Sequence, residues 1–414
     1  MTRKTKNTDQ EKNKKSKRNK NSYSFEEVFI IMIISLVIGF FTCFSLNRIL
    51  YGNYDYKIIS KDLKKFISAY QTVIKNYPKE LDKEKLVENA IEGMLNSIGD
   101  KYTTYNDIEN TNSFNETVSG TYEGIGCLVS TTEDGIKVIE VFEDSPASKA
   151  SLKEGDIIKE IDNEDFTSKT SNDMSEYVKN ATNKEIKLLI VRDGEEKEIK
   201  IKRKKVEVPT VTGKVYEVEN KKIGYIDISI FSSVTDKQFK EKLKSLEKED
   251  IKCLVIDVRD NSGGYLNVVT NISNIILEKG KTIYKIEKSK NNVNEKKDTT
   301  KEKRTYPIAI IVNSSSASAS EILASAIKES YGGFVVGTNT YGKGTVQQTM
   351  KLEDGSMIKY TIENWLTPNG NWINEVGVTP TNYVELEETY YENPIPENDN
   401  QLQESLLLVA KNQK

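Results

Sequence analysis

The most constraining feature of this sequence is an alternation of apolar runs and amphipathic segments between residues 205 and 385. The runs KIGYIDIS, KCLVIDVR, IAIIVN and GFVVG alternate with helix-like segments such as TDKQFKEKLKSLEK and SEILASAIKES. The helix-like segments repeat apolar residues at helical spacing, whereas KCLVIDVR is almost continuously apolar, as a strand buried on both faces is. The alternation predicts a sheet covered by helices.

The remaining chain divides into regions of different character. Residues 54–115 read as amphipathic helices, and residues 116–204 read as a β-rich unit of short strands with one helix candidate, SNDMSEYVKNA. Residues 288–304 are polar and rich in lysine, which predicts a solvated loop. Residues 386–414 are predicted to form a helical tail. The fold class expected is therefore a multidomain α/β (α+β) protein with a larger core of mixed sheet and helices.

The run from Val28 to Asn47 contains no charged residue. Its length matches the ~20 residues that a helix needs to cross a bilayer. A cleaved signal peptide has a shorter apolar stretch and a small-residue cleavage site, which is not present here. We therefore predict an N-terminal transmembrane helix at 28–47. Residues 1–27 are expected to be a basic, disordered cytoplasmic tail, and the chain after Arg48 is expected outside the membrane.

Charge is distributed unevenly along the chain. The net charge is -3, yet the first 20 residues carry nine Lys and Arg against two acidic residues. Without that basic segment the chain is acidic, which gives nucleic-acid binding little electrostatic support. No nucleic-acid partner is expected.

The absence of histidine excludes several kinds of active site. Ser-His-Asp and Cys-His arrangements and histidine-based zinc sites all require that residue. The cysteines at 43, 127 and 253 are too few for an all-cysteine zinc site. No metal or cofactor is expected, and a hydrolase here must take its base from Lys, Asp, Glu or Tyr.

Three segments of the 205–385 region carry candidate chemistry. In DVRDNSGGYL, Gly263 and Gly264 can turn backbone N–H groups toward a ligand, although a plain strand-to-helix turn explains them as well. In NSSSASASEILA, a serine at a helix start would meet unpaired N–H groups that can stabilise an oxyanion, although helix capping is the simpler explanation. In GTNTYGKGTVQQ, Lys343 lies between two glycines.

Two other motifs offer alternative explanations for the lysines and serines of this region. A P-loop needs Ser or Thr after the lysine and then a helix, but Gly344 and strand-like residues follow Lys343. Ser325 and Lys328 match S-x-x-K of penicillin-binding enzymes, but the accompanying K-T-G is absent. Without histidine, a serine at a helix start and a lysine in a turn indicate a Ser–Lys pair. Its lysine needs a lowered pKa, and Gln347 is a candidate to hold it.

Together, DVRDNSGG, SASASE and YGKGTVQ resemble the motifs of the carboxyl-terminal processing peptidases, the tail-specific serine proteases. The resemblance implies a protease core at 205–385, with Ser318 as nucleophile, Lys343 as general base and Gln347 orienting the lysine. The resemblance also implies that the N–H groups of Gly263, Gly264 and Ala319 form the oxyanion hole. It implies further that Ser316, Ser320 and Glu321 support the serine loop. Two departures, Ser262 for proline and Ser315 for glycine, remove no catalytic group.

The unit at 116–204 is similar to the PDZ domain of this family. The segment YEGIGC would be its carboxylate-binding loop, with N–H groups around Gly124, Ile125 and Gly126. A substrate tail would add there as a strand. Ser151 replaces a glycine of the family pattern, and a purely structural β-domain is the alternative.

The resulting hypothesis is a membrane-anchored serine endopeptidase with a Ser–Lys dyad. Its expected partners are protein or peptide substrates with apolar C-terminal tails. The resemblance further implies gating by the PDZ domain and a homodimer through the terminal helices, with DNQLQESLLLVAK amphipathic enough to take part. The alternative is a membrane-anchored PDZ scaffold whose protease is catalytically weak.

Overall fold

A computed structural model describes residues 25–50, 56–289 and 292–412. The chain divides into two compact units, one ending at Leu86 and the other beginning at Val87. Most of the predicted basic tail, residues 1–24, lies outside the described residues.

The first helices are α1 Phe25–Leu50, α2 Tyr56–Asn76 and α3 Lys83–Asn96. Helix α1 covers the uncharged run that predicted an anchor. However, within residues 25–50, 56–289 and 292–412 no helix is both long and apolar enough to cross a membrane. The structure therefore does not confirm the predicted transmembrane helix.

A short strand interrupts the region that was predicted to be helical up to residue 115. It is β1 Thr104–Asn106, followed by α4 Ile108–Ser119. The threonines and tyrosines of TTYN favour extended backbone, and their pairing partner lies some 250 residues further along the chain. Local helical periodicity could not reveal that partner. Helix α4 begins where Asp107 accepts a hydrogen bond from the Asn110 N–H at 2.8 Å.

The β-rich unit forms a sheet in the order β3-β4-β5-β7-β8, with β6 beside β5. Its elements are β2 Thr121–Gly124, β3 Cys127–Thr132, β4 Gly135–Val141, α5 Pro146–Lys149, β5 Ile157–Ile161, β6 Glu164–Asp165, α6 Ser171–Asn180, β7 Glu185–Arg192, β8 Glu195–Lys202 and β9 Lys204–Glu207. Helix α6 starts with a capping box between Thr170 and Asp173. The inward-facing side chains of these strands and helices form a separate apolar core, which includes Ile136, Ile158, Phe166, Met174 and Leu188.

The larger sheet has the order β10-β11-β12-β15-β16-β19 and is parallel from β11 onward. The elements of this part of the chain are β10 Val211–Val218, β11 Lys221–Ile228, α7 Thr235–Lys248, β12 Cys253–Asp257, α8 Leu266–Ile276, β13 Thr282–Ser289, β14 Asn292–Lys297, β15 Ile308–Val312, α9 Ala319–Ala326, β16 Phe334–Gly337, β17 Thr345–Lys351, β18 Met357–Leu366, β19 Asn382–Tyr383, α10 Glu388–Glu392 and α11 Asn400–Lys411.

Burial on both faces explains the continuous apolar run of β12. Leu254 and Ile256 join the core formed with α7, α8 and α9, whereas Cys253 and Val255 join the core formed with α11. Successive side chains of a strand point to opposite faces, so both sets must be apolar when helices cover both. The sheet covered by helices is therefore confirmed.

A second, antiparallel sheet has the order β1-β18-β13-β14, with β17 beside β18. Its edge strand β14 corrects the prediction that residues 288–304 form a solvated loop. The side chains of β14 are exposed, and its backbone pairs with β13. Charged residues are common on edge strands because they discourage further pairing, so composition alone did not separate this strand from a loop.

The C-terminal helix, which was expected to contribute to a homodimer, packs on the large sheet of its own chain, and the homodimer stays a prediction. Leu402, Leu406 and Val409 of α11 are buried against the large sheet of the same chain. The amphipathic pattern therefore reflects packing inside the chain. Arg259, just after β12, also links this strand to α11. Its guanidinium forms ion pairs with Asp257 at 2.6 Å and with Asp399, the N-cap residue of α11, at 2.7 Å.

Candidate active site

The carboxyl ends of β12 and β15 bring the glycine pair and the serine run to one edge of the sheet. Ligand sites of open parallel sheets form at this edge. Gly263 is packed so closely against the serine run that a Cβ there would lie 2.8 Å from Ser318 Cβ. Its φ of +105° is also a conformation that side chains disfavour. Both constraints explain why glycine is needed at this turn.

Ser318 occupies a strained backbone conformation immediately before α9. Its φ of 55° and ψ of -111° lie outside the regions that residues with a Cβ normally adopt. Such strain persists only where surrounding contacts enforce it, and it is concentrated at functional sites. The conformation places a partly exposed serine at the start of a helix.

The buried carboxylate of Glu321 joins the serine loop to the lysine loop. It accepts hydrogen bonds from the N–H of Ser318 at 2.7 Å and the N–H of Lys343 at 2.9 Å. It also accepts from Thr340 Oγ1 at 2.6 Å and from the Gly342 N–H at 2.7 Å. Burial raises the pKa of Glu321, and these four donors oppose the rise. The two candidate catalytic residues are thus fixed to one acceptor.

The lysine loop depends on its flanking glycines. A Cβ on Gly344 would lie 2.6 Å from Trp372 Nε1, so a larger residue has no room. Trp365 Nε1 donates to the Lys343 carbonyl at 2.7 Å and fixes the loop from the other side. Strand β17, not a helix, follows the lysine. This arrangement excludes the P-loop alternative.

The environment of Lys343 favours its neutral form. Burial lowers its pKa from 10.5 to about 8, and the positive charge of Lys359 contributes in the same direction. Glu321 and Asp100 are nearby negative charges that oppose the shift. A lysine with this pKa has a substantial neutral fraction near neutral pH, as a general base requires.

Ser318 and Lys343 line one cavity of about 600 Å³, together with Gly263, Gly264 and Gln347. Its apolar walls include Val118, Ile230, Leu266, Ile322 and Trp365. Among the residues that the structure describes, no hydrogen bond joins Ser318 Oγ to Lys343 Nζ. Catalytic hydrogen bonds are often long before substrate binds, so the shared cavity and the loop geometry are the relevant observations.

The expected oxyanion donors differ in availability. The Gly263 N–H donates to Asn261 Oδ1 at 2.9 Å and is therefore already engaged. The N–H groups of Gly264 and Ala319 donate to no protein acceptor within the described ranges. These two remain available to a developing oxyanion.

The other residues assigned by the resemblance have the following contacts. Gln347 donates to Thr345 Oγ1 at 2.8 Å and Thr361 Oγ1 at 3.2 Å, so its orienting role toward Lys343 stays a prediction. Ser316 Oγ and Ser320 Oγ donate to the carbonyls of Val258 and Asn261, which ties the serine run to the glycine turn.

The S-x-x-K alternative is not supported by the positions of its two residues. Ser325 is fully buried and its hydroxyl donates to the Ile322 carbonyl. The Lys328 ammonium donates to the Thr379 carbonyl at 2.7 Å. The serine hydroxyl and the lysine ammonium of this motif therefore each donate a hydrogen bond to a backbone carbonyl.

A second groove of about 870 Å³ lies beside β3 and α6, with α4 as a further wall. Its lining is mixed: polar residues of α4 and α6 surround an apolar part formed by Ile125, Cys127, Val129, Met174 and Val178. The predicted carboxylate loop borders this groove, and Gly126 adopts a φ of +83°. A Cβ on Gly124 would clash with the Tyr122 ring, and one on Gly126 would lie 2.4 Å from Ser145 Cβ.

Sequence reasoning missed several residues at the catalytic cavity. Lys359, Phe114 and Val118 reach it from β18 and α4, which lie outside the three motifs. Asn261 falls inside the DVRDNSGG motif but was given no role. Its buried side chain donates to the Ile228 carbonyl and accepts from Gly263.

Comparisons with known proteins identify the domains and the family of this chain. Peptidase family S41 matches residues 222–384, a PDZ domain matches 124–202, and the "Activating protease CtpB N-terminal domain" matches 46–110. The chain is 37% identical over 355 residues to "Carboxy-terminal processing protease CtpB" of Bacillus subtilis, covering 85% of this chain and 73% of that protein. It is 34% identical over 395 residues to a "Probable CtpA-like serine protease" of Staphylococcus aureus, covering 95% and 78%.

A solved structure adds agreement on the fold alone. The "Putative S41 protease" from Bacteroides fragilis superposes with a TM-score of 0.51 at 14% identity, covering 81% of this chain and 92% of that chain. A PDZ unit joined to a protease core defines a carboxy-terminal processing serine protease. The chain belongs to peptidase family S41.

Replacing Glu321 by alanine should remove the acceptor that joins both loops. We expect kcat to fall on the order of 100-fold, because small displacements of reacting groups have effects of that size. The measurement is peptide cleavage, with circular dichroism to show that the fold persists. Ser325→Ala, on the same helix, is the matched control and should keep activity. Near-normal activity of Glu321→Ala would contradict this account of the site.

The pH dependence should report the lowered pKa of Lys343. We expect kcat/KM to rise tenfold per pH unit below pH 8 and to level off above it, because only the neutral amine accepts a proton. Lys359→Met removes a like charge and should move the midpoint upward. Steady-state kinetics over pH 5.5–10, a range of about five units, provides the test. An optimum at acid pH would instead indicate a carboxylate base.

Proposed function

We propose that this protease cleaves peptide bonds with a Ser318–Lys343 dyad. The observation that carries the proposal is the shared cavity in which a strained serine and a lysine with a lowered pKa meet, both fixed to Glu321. The complete lack of histidine supports it, because the usual base for serine is unavailable.

The reaction follows from the positions of these groups. Neutral Lys343 takes the proton of Ser318 Oγ as that oxygen attacks the carbonyl carbon of the scissile bond. Charge develops on the carbonyl oxygen, where the N–H groups of Gly264 and Ala319 stabilise it. The Lys343 ammonium then protonates the leaving amine, and the C–N bond breaks to give an ester on Ser318. Water, deprotonated by Lys343, hydrolyses the ester and restores the serine.

Substrate selection is proposed to occur at the groove beside β3 and α6. The apolar part of its lining suits the side chains of an apolar C-terminal tail, and an extended tail can pair with β3. The carboxylate would be bound by N–H groups around Gly124, Ile125 and Gly126. A PDZ scaffold without protease activity is the alternative that the experiment below separates.

One substrate set tests both parts of this proposal. An unstructured protein ending in apolar residues should be cleaved by the wild type, whereas Ser318→Ala should lose activity at least 1,000-fold, as nucleophile removal does. The same substrate with a C-terminal amide should be cleaved more slowly, because the tail no longer carries a carboxylate. Mass spectrometry of timed samples identifies the products.

The outcomes of this experiment are separable. Equal cleavage by Ser318→Ala and wild type would refute the dyad. Equal cleavage of the acid and amide substrates would refute tail recognition but leave the dyad intact. Tail binding without cleavage by the wild type would favour the scaffold.

The location outside the cytoplasmic membrane is also a proposal. It is supported by the uncharged run Val28–Asn47 and by the basic residues that precede it. We expect the full chain to stay with membranes through alkaline extraction and to be released by detergent. Recovery in the aqueous fraction after alkaline extraction would exclude an anchor.

A further inference from the structure

The ammonium of Lys343 faces an aromatic ring that the protease motifs do not include. Its Nζ atom lies 5.0 Å from the ring centroid of Tyr102. This distance is within the ~6 Å over which a cation is attracted to an aromatic face. Tyr102 falls in the range that matches the CtpB N-terminal domain, outside the S41 match at 222–384.

The backbone around Tyr102 is fixed to the protease part of the chain. Strand β1, two residues on, pairs with β18, which also carries Lys359. The Thr361 N–H donates to Thr103 Oγ1 at 3.2 Å. Asp100 accepts from the Tyr102 N–H at 3.0 Å and from Thr103 Oγ1 at 2.6 Å. The ring is therefore held in place by its own turn and by β18.

The ring, not the hydroxyl, makes the contact. Tyr102 Oη is buried and has no hydrogen-bond partner in the described part of the chain. A second ammonium, that of Lys101, lies 5.0 Å from the same ring and 5.3 Å from the ring of Tyr341.

The charged groups that face Lys343 come from several elements. Asp100 lies before β1, Glu321 is on α9 and Lys359 is on β18. The carboxylates stabilise the ammonium, whereas Lys359 and burial disfavour it. Where opposing charges nearly balance in a buried setting, a cation–π contact can shift the equilibrium between the ammonium and the neutral amine.

We propose that Tyr102 is a positioning residue for Lys343, so that the segment preceding β1 completes the active site of the protease. The proposal rests on the Ser318–Lys343 mechanism. In that mechanism Lys343 becomes an ammonium when Ser318 attacks, and it must hold the proton until the amine leaves. The Tyr102 ring stabilises this cation and fixes its side chain.

Substitutions at Tyr102 distinguish a role of the ring from general structural support. Tyr102→Leu keeps an apolar side chain but removes the π face. The midpoint of the kcat/KM profile should then move down by about half a unit to one unit, and the plateau should fall about 3- to 10-fold. Tyr102→Phe keeps the ring and should behave as the wild type. Tyr105→Leu, on β1, is the matched control and should leave the midpoint unchanged.

A direct titration of Lys343 makes the test independent of catalysis. In a Ser318→Ala background, the pH dependence of Lys343 acetylation by acetic anhydride is followed by mass spectrometry of the peptide that contains it. The Tyr102→Leu variant should again show the lower midpoint. This readout remains meaningful even if the dyad itself is refuted by the cleavage assay.

An unchanged or higher midpoint in Tyr102→Leu would overturn the proposal, because it would show that burial and the neighbouring charges set the protonation of Lys343 without the ring. A similar downward shift in Tyr105→Leu would also overturn it, by showing a general effect of altering this segment. If Tyr102→Leu does not fold, ring-fluorinated phenylalanine at position 102 keeps the shape and weakens the π face. The midpoint should then still fall, and its constancy would refute the proposal.

Discussion

Four hydrogen bonds converge on the buried carboxylate of Glu321, and the geometry of the active site depends on them. Two come from the backbone N–H groups of Ser318 and Lys343, residues that lie 25 positions apart in sequence. A fully buried carboxylate is stable only when such donors satisfy it. The same contacts that stabilise Glu321 therefore fix the positions of the strained serine and the lysine loop relative to each other.

The surroundings of this carboxylate decide the chemistry of the lysine. Burial and Lys359 lower the pKa of Lys343, while Glu321 and Asp100 limit that effect. Without these carboxylates the Lys343 ammonium would be less stable, and without burial its neutral amine would be a smaller fraction at neutral pH. In the mechanism that we propose, Lys343 alternates between these two protonation states.

Much of this protein could be predicted from local sequence patterns. The apolar run KCLVIDVR predicted a doubly covered strand, and the structure confirms it because Leu254 and Val255 face different cores. Predictions failed where long-range pairing decides conformation. Strand β14 looked like a loop because its exposed residues carry no alternation. The helix α11 was predicted, but the surface that covers its apolar face is spread over several strands of the large sheet and could not be read from local sequence.

The sequence by itself determined the class of enzyme: the ordered motifs around Gly263, Ser318 and Lys343, and the lack of histidine, leave a serine protease without a histidine base. Tertiary structure alone decided which groups surround that lysine. Tyr102 and Asp100 reach it because β1 pairs with β18, and Lys359 reaches it because β18 pairs with β17, the strand that follows the lysine loop. The sequence specifies which functional groups the chain carries. The pKa of a buried lysine, however, depends on neighbouring groups that pairing between distant strands brings together.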